Sequence, residues 1–455
     1  MPLMTPTRRR ILSNLLSLSS VEAISYLFPL VTIPYLVRVL GPGKFGLVSF
    51  AQAFAQYFSM LASFSFALTA TRAVSLARHK PEELSRIYSN VLGTSSTLAA
   101  FSTVVAVVMA LTIPPLREHW LILLLSLGAV WGKVLFPAWF FLGMEKMSFV
   151  AWPHLLLRGI STALIFLIVR SENDYYLVLL CPVAGWIVSD LFTLIVARFQ
   201  FGMRFHMPGL GVMVRELRRG LLVFAGMMSA ILNVPSAVFV VGLFAEEKQV
   251  GFFAAPQKLI VAAMMLFRVF GRTVYPHVSR LAKENPERAI AFLGRAFGVL
   301  LVMSVGATLV MLAASGFVVN LVFGSQYESS VPVLKVLSLM FVLFALNDLF
   351  GTQTLLAFGA NRLYAFCNVV PSVLNFGLLF VVVPRFGIIG AATLLVCTSA
   401  LMLLLCLIGL YAWHRPVLAG ILRHTFSLAG LRRRLTGPDD TDDAPPQMGP
   451  GPKHP

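Results

Sequence analysis

Apolar residues run along this chain in long, nearly unbroken stretches, and its charged, proline and glycine residues gather in short breaks between them. A helix needs about 20 residues to cross the ~30 Å of hydrocarbon in a bilayer. With the charged and Pro/Gly clusters taken as breaks, twelve stretches reach that length: 14–39, 45–68, 88–113, 119–143, 148–170, 175–198, 217–243, 250–274, 290–322, 332–358, 361–384 and 387–413. Each predicts a helix, because a backbone in lipid must satisfy its own N–H and C=O groups. The first stretch follows Arg8, Arg9 and Arg10 and is too long for the apolar core of a cleaved leader, so it reads as a retained span.

Polar positions inside the stretches fall at helical intervals. Asn14, Ser17, Glu22 and Ser25 share one face of the first, and Ser49, Gln52, Gln56, Ser59 and Ser63 share a tighter face of the second. The tenth carries Asn347, Asp348, Thr352 and Gln353, and the eleventh carries Asn361, Asn368, Ser372 and Asn375. Such stripes either line a polar cavity or bond helix to helix. Pro235 and Pro256 are expected to interrupt the seventh and eighth stretches.

An offset of 205 residues brings a second pattern into view. Gly46 falls on Gly251, Gln52 on Gln257, Leu76-Ala77-Arg78 on Leu281-Ala282-Lys283, and Pro81-Glu82 on Pro286-Glu287. Proline in a first helical turn, with acids beside it, suits the free N–H groups and positive dipole of a helix start. Six stretches per copy would make both copies enter the bilayer from the same side, the parallel-repeat plan of transporters that rock two bundles around a central space. The expectation is an all-α polytopic membrane protein with about 12 transmembrane helices in two pseudo-symmetric six-helix lobes around a central cavity. The boundaries are 1–205 for the first lobe, 206–414 for the second and 415–455 for a basic, then disordered, tail.

Composition agrees and adds the sign of the charge. Of 455 residues 58% are hydrophobic and only 12% charged, against about 25% in soluble domains, so a soluble globular protein is excluded. The net charge of +17 lies mostly in alternate loops, which by the positive-inside bias puts both termini in the cytoplasm and argues against nucleic acid as a partner. Cys181, Cys367, Cys397 and Cys406 all sit in apolar stretches without a zinc-type spacing and read as packing residues.

Charges inside the stretches narrow the chemistry. A Lys, Arg or Asp at mid-bilayer costs about 2.5–3.5 kcal/mol on insertion scales, so it is kept where it faces protein or water. Lys133, Arg158, Lys258, Arg268 and Arg272 are such cations, the last three within about 80° of each other on one helix. Together with Gln52, Gln56, Asn368 and Asn375 they form the candidate substrate site, suited to an anion such as pyrophosphate. Arg38, Arg268 and Arg272 also stand where side chains can snorkel to an interface. His154 lies one turn from Arg158. Glu22, Asp190 and Asp348 are the candidate acids for coupling to a cation gradient. The run "GPGKFG" at 41–46 has no strand before it and reads as a hairpin, and the "DTD" at 440–442 falls in the tail. No P-loop, HExxH or GxSxG occurs, so neither an enzyme nor a cofactor is expected.

Several runs carry a family resemblance: "YLFPLVTIPYLVRVLGPGKFGLVSFAQAFAQYF" (Tyr26 to Phe58), "TATR" (Thr69 to Arg72), "VGFFAAPQKL" (Val250 to Leu259), "YPHVSRL" (Tyr275 to Leu281) and "RFGIIGAA" (Arg385 to Ala392). The chain resembles the polysaccharide-type flippases, the Wzx-like O-antigen and exopolysaccharide repeat-unit translocases of the multidrug/oligosaccharidyl-lipid/polysaccharide exporter superfamily. The matching positions are Pro34, Arg38, Gly41, Pro42, Gly46, Gln52, Arg72 and Pro276. The resemblance implies movement of undecaprenyl-pyrophosphate-linked repeat units across a bacterial inner membrane, with membrane lipid, a polymerase and chain-length proteins as partners. Two departures bear on coupling. Ser63-Phe64-Ser65-Phe66-Ala67 stands where relatives often carry an Asp-aromatic-Gly-Phe-Asn run, and no acid occurs near Thr398 or Ser399. A cation-coupled exporter of another substrate and a membrane assembly enzyme of the same pathway are the alternatives.

Overall fold

The computed structural model describes residues 6–413 and 415–426, with side chains described for residue 28 and for 31–426 except 148, 266, 269, 270, 272 and 414. Every regular element among the described residues is helical. In the first half these are α1 (Pro6–Ser63), α2 (Phe66–Ala77), α3 (Pro81–Thr112), α4 (Pro114–Arg117), α5 (Trp120–Ser126), α6 (Gly128–Leu135), α7 (Ala138–Gly143), α8 (Ser148–Ile168) and α9 (Leu177–Gln200). The second half contains α10 (Leu210–Phe244), α11 (Glu247–Glu284), α12 (Pro286–Phe323), α13 (Val331–Ser338), α14 (Met340–Asn347), α15 (Asn361–Trp413) and α16 (Arg415–Phe426), with a π-helical stretch at Asp348–Leu356. The repeat is visible in the starts: Pro81 opens α3 and Pro286 opens α12, the latter capped by Asn285, whose side chain accepts from the Arg288 N–H at 3.1 Å.

Nine helical stretches among the described residues are long and apolar enough to cross a membrane, against the twelve read from the sequence. Three causes account for the difference, the first being that the expected 14–39 and 45–68 fall in one counted stretch, Val31–Ala77. The second is that α11, the expected 250–274, contains residues outside the described side chains and is not among the nine. α15 counts once, although its 53 residues would extend about 80 Å as one straight helix. Gly387, at φ 57°, breaks α15 between the expected boundaries 384 and 387, just as Gly41, at φ 66°, breaks α1 between 39 and 45. Pro235, by contrast, does not end α10. The carbonyl of Ile231, left without its N–H partner by the proline, accepts instead from Ser236 Oγ at 2.8 Å, and the helix continues. α11 likewise runs through Pro256.

The apolar cores reveal how the halves meet. One core joins α1, α3, α5, α6, α10, α11 and α13, through Val37, Phe50, Val130, Val240, Phe253 and Leu334, and so belongs to both halves. Two further cores are separate. Phe66, Val74, Tyr88, Phe140 and Phe141 belong to the first half, and Val278, Leu293, Phe350, Cys367 and Ile421 to the second. The halves are therefore joined by a shared core at the end of the hairpins, while at the other end each has its own core and the start of α10 reaches across, Phe224 stacking on Phe64 at 4.4 Å.

The joint is a backbone contact. A methyl group on Gly46 would overlap the Glu247 carbonyl oxygen and lie 2.6 Å from the Gly251 nitrogen; one on Gly251 would overlap the Pro42 carbonyl oxygen. These are the two glycines that the 205-residue offset superimposes. Around them Lys44 reaches Glu247 at 3.9 Å and His119 reaches it at 3.6 Å. Arg38 donates to the Leu321 and Val322 carbonyls, and Gln326 Nε2 donates to the Val37 and Arg38 carbonyls at 3.4 and 3.3 Å. Arg38 thus caps the carbonyl end of α12 rather than facing the central space.

Elsewhere, the basic start of the expected 415–455 tail forms α16. That helix packs on α12 through Ile421 and through Thr425 Oγ1, which donates to the Gly294 carbonyl at 2.8 Å. The tail from 427 lies outside the described residues. Cys181, Cys367 and Cys406 are buried as expected, while Cys397 is exposed on α15.

Gly251→Ala is expected to cost about 1–3 kcal/mol, the range for overpacking a tight site. Gly306→Ala, with nothing within 4 Å of the added methyl, should stay within about 0.5 kcal/mol of the parent. Thermal unfolding of the purified variants compares the two.

Candidate functional site: a cationic cavity between the halves

Two adjoining cavities, one of about 520 Å³ between the halves and one of about 420 Å³ lined by the first half alone, share Gln52, Gln56, Val178, Pro182 and Trp186. The polar stripe of α1 faces them. Ser49, Gln52 and Gln56 line the first cavity, and Gln52, Gln56 and Ser59 line the second, because residues three and four apart stack on one helical face. Ser63 falls outside both and bonds back to the Met60 carbonyl at 3.4 Å.

Three cations from three helices line the cavities: Arg158 from α8 and Lys258 from α11 line the first, and Lys133 from α6 lines the second. Lys258 Nζ donates to Gln52 Oε1 at 2.8 Å and Ser49 Oγ at 3.0 Å, and lies 4.9 Å from the centre of the Phe45 ring. These partners are neutral. They hold the ammonium without cancelling its charge, and the aromatic face adds an attraction that a desolvated cation feels strongly. His154 completes the second cavity, its Nδ1 2.9 Å from Ser189 Oγ and its ring stacked 4.5 Å from Phe136. Among the described residues no aspartate or glutamate lines either cavity. The site is a hydrogen-bonding pocket with uncompensated positive charge, so its complementary guest is an anion with hydroxyl groups.

The other sequence candidates lie elsewhere. Arg268 shares a helical face with Lys258 but sits ten residues on, about 15 Å along the helix; it is exposed and stacks 5.5 Å from Phe344. Arg272 and Glu22 lie outside the described side chains. Asn368 Nδ2 donates within its own helix, to the Tyr364 carbonyl at 2.8 Å. Asn375 is buried. Its Nδ2 donates to the Leu232 and Asn233 carbonyls at 3.1 and 3.3 Å, and its Oδ1 accepts from Thr398 Oγ1 at 3.1 Å. Around the Pro235 segment, Gln257 Nε2 also donates to the Val234 carbonyl, at 2.8 Å. Here the stripe of the eleventh stretch ties α15 to α10.

Of the acids, Asp190 is 1% exposed on α9 and neither of its oxygens has a hydrogen-bond partner among the described residues. Asp348 accepts from Gln353 Nε2 at 3.2 Å, and Gln353 also donates to the Gly271 carbonyl at 2.8 Å. Neither acid lines the central cavities.

Sequence reasoning missed Trp186, which lines both cavities, because an aromatic residue in an apolar stretch reads as core. The signal was the face Val178, Pro182, Trp186 at intervals of four. It also left Gln257 out of the site, although Gln257 lines the first cavity and is the repeat mate of Gln52.

Helices paired around a central space, with polar and cationic walls, define the polytopic membrane-transporter fold. Among solved structures the chain is similar to the lipid II flippase MurJ in an inward closed conformation, with TM-score 0.70 and 13% identity, covering 93% of each chain. It is also similar to an inward-facing multidrug resistance MATE family transporter of the MOP superfamily, with TM-score 0.64 and 13% identity, covering 88% of this chain and 96% of that one. The polysaccharide biosynthesis protein family model matches residues 11–282, more than half of the chain, and the chain belongs to that family. A relative in Escherichia coli (strain K12), named as an O-antigen transporter, is 26% identical over 395 residues, covering 85% of this chain and 94% of the relative.

Asn375→Ala strips the buried α10 carbonyls of their donor and should cost about 1–3 kcal/mol. Asn368→Ala, which loses a bond within one helix, should cost less than half as much, as read by thermal unfolding of the two variants.

Proposed function

We propose that the chain is a flippase that carries undecaprenyl-pyrophosphate-linked oligosaccharide repeat units across the bacterial inner membrane for O-antigen or exopolysaccharide synthesis. The observation that carries this reading is the pair of adjoining cavities, the first lined by Arg158 and Lys258 and the second by Lys133, with no carboxylate among their described lining. A pyrophosphate supplies the missing negative charge. Gln52, Gln56 and Gln257 offer amides to the sugar hydroxyls, and the polyprenyl tail stays in lipid, where its apolar surface costs nothing. The names of the relatives and of the MurJ neighbour support the same substrate class. A cationic cavity disfavours the cationic drugs that the exporter alternative would take.

Movement in this reading is alternating access by two lobes, 1–205 and 206–414, with both termini in the cytoplasm. The joined hairpin end is then periplasmic and shut, and the opposite end opens to admit substrate from the cytoplasmic leaflet. Translocation requires the Gly46 and Gly251 backbones to separate, and Asp190, Asp348 and Glu22 are the acids through which a cation gradient would drive the cycle.

Deletion should abolish the surface polymer and leave single repeat units on the cytoplasmic leaflet; units that reach the periplasmic leaflet unpolymerised would overturn the proposal. In complementation, Lys258→Ala and Arg158→Ala should each lower transport about tenfold to a hundredfold, equivalent to about 1.5–3 kcal/mol for a hydrogen bond to a charged group. Lys258→Arg should keep a larger share. Full transport by every charge-removing variant, at equal membrane abundance, would refute the electrostatic role.

A further inference from the structure

A third cavity, of about 610 Å³, lies between α3, the end of α6, α9 and the linker 201–209 that leads into α10. It shares no lining residue with the two central cavities. Its apolar side is built from Tyr88, Leu92, Leu194 and the buried Met203, while the exposed Arg198, Arg204 and His206 supply its polar side.

The linker is fixed rather than draped. Ser85 Oγ and Ser89 Oγ donate to the Arg204 carbonyl at 3.0 and 2.8 Å; the same hydroxyl oxygens accept from the Arg204 and His206 N–H groups at 3.0 and 3.1 Å. The Pro208 ring fills the place a side chain on Gly93 would take. The two arginines are thereby set at the cavity, and Arg198 Nη1 reaches only the Met203 carbonyl, at 3.4 Å. Neither has a carboxylate partner among the described residues. Beside them Phe199, Phe205 and Met207 are 81%, 50% and 60% exposed, so large apolar side chains and unpaired guanidinium groups alternate along one short stretch. That mixture suits the boundary between hydrocarbon and headgroups.

We propose that this cavity binds an anionic phospholipid of the bilayer, with the phosphate on Arg198 and Arg204 and the first methylenes against Leu92 and Leu194. Guanidinium forks match a phosphate's geometry, and basic pockets between transmembrane helices are suited to anionic headgroups. A lipid-linked sugar fits less well, because apart from Ser96 and the basic groups the walls offer little to hydroxyls. The bound lipid would clamp the linker between the two halves onto α3, so lipid composition would bear on the stability of the whole molecule. This inference is independent of the substrate assigned to the central cavity.

The test is thermal unfolding of the purified full chain in neutral detergent with added phosphatidylglycerol or phosphatidylcholine. Phosphatidylglycerol should raise Tm by about 5 °C and phosphatidylcholine should not. The Arg198→Gln/Arg204→Gln double variant should lose that shift, while Arg288→Gln/Arg423→Gln, which removes the same charge elsewhere, should keep it. Arg204→Gln alone changes an exposed position, and should raise the phosphatidylglycerol concentration for half effect roughly tenfold. Equal shifts from the two lipids, or an unchanged half-effect concentration in Arg204→Gln, would overturn the proposal. So would undecaprenyl pyrophosphate displacing phosphatidylglycerol from these arginines, since the site would then belong to the substrate.

Discussion

Where α1 and α11 cross, two backbones meet without side chains between them, and the placement of everything else follows from that contact. Gly46 and Gly251, which the 205-residue offset superimposes, meet at this crossing. Interfaces between membrane helices gain little from apolar burial, since lipid is as apolar as leucine, and rely on close backbone approach and hydrogen bonds. The bonds of Arg38 and Gln326 to carbonyls, and the ion pairs of Glu247, surround the crossing and complete the closure.

With the halves locked there, the rest of each half is free to hold its own core, and a polar space opens between them. α1 and α11 leave the crossing side by side, which brings Ser49 and Gln52 to Lys258. A lysine in the middle of a membrane helix is costly, and here neutral oxygens and an aromatic ring bear the cost. Because none of these partners is an anion, the charge remains available to a guest. The bonds from Asn375 and Gln257 to the carbonyls around Pro235 serve a different end, keeping α10 continuous past a proline while it packs against both halves.

Much of this was legible in the sequence. Apolar run length gave the helices, the glycine breaks at 41 and 387 fell within the expected boundaries, and the stripe from Ser49 to Ser59 faces the cavity. Other features needed three dimensions. Helical phase groups Lys258 with Arg268, but only the depth of the cavity separates them. An asparagine stripe has the same spacing whether it lines water or bonds a neighbouring helix, and in α15 Asn375 does the second. Trp186 is invisible to a search for polar residues. The cavity beside the linker depends on Ser85 and Ser89 gripping Arg204 across more than a hundred residues of chain, a pairing no local pattern encodes.

The central claim is that the cationic cavity recognises a pyrophosphate on a lipid. Trp186 lines both central cavities and, with the chain's other five tryptophans replaced by phenylalanine, its fluorescence reports binding to the purified chain. Undecaprenyl pyrophosphate should bind at least about tenfold more tightly than undecaprenol, with the preference falling in Lys258→Gln and Arg158→Gln, as expected for loss of about 1.4 kcal/mol or more. Equal affinity for the charged and uncharged lipids, in the parent chain and in both variants, would contradict the account.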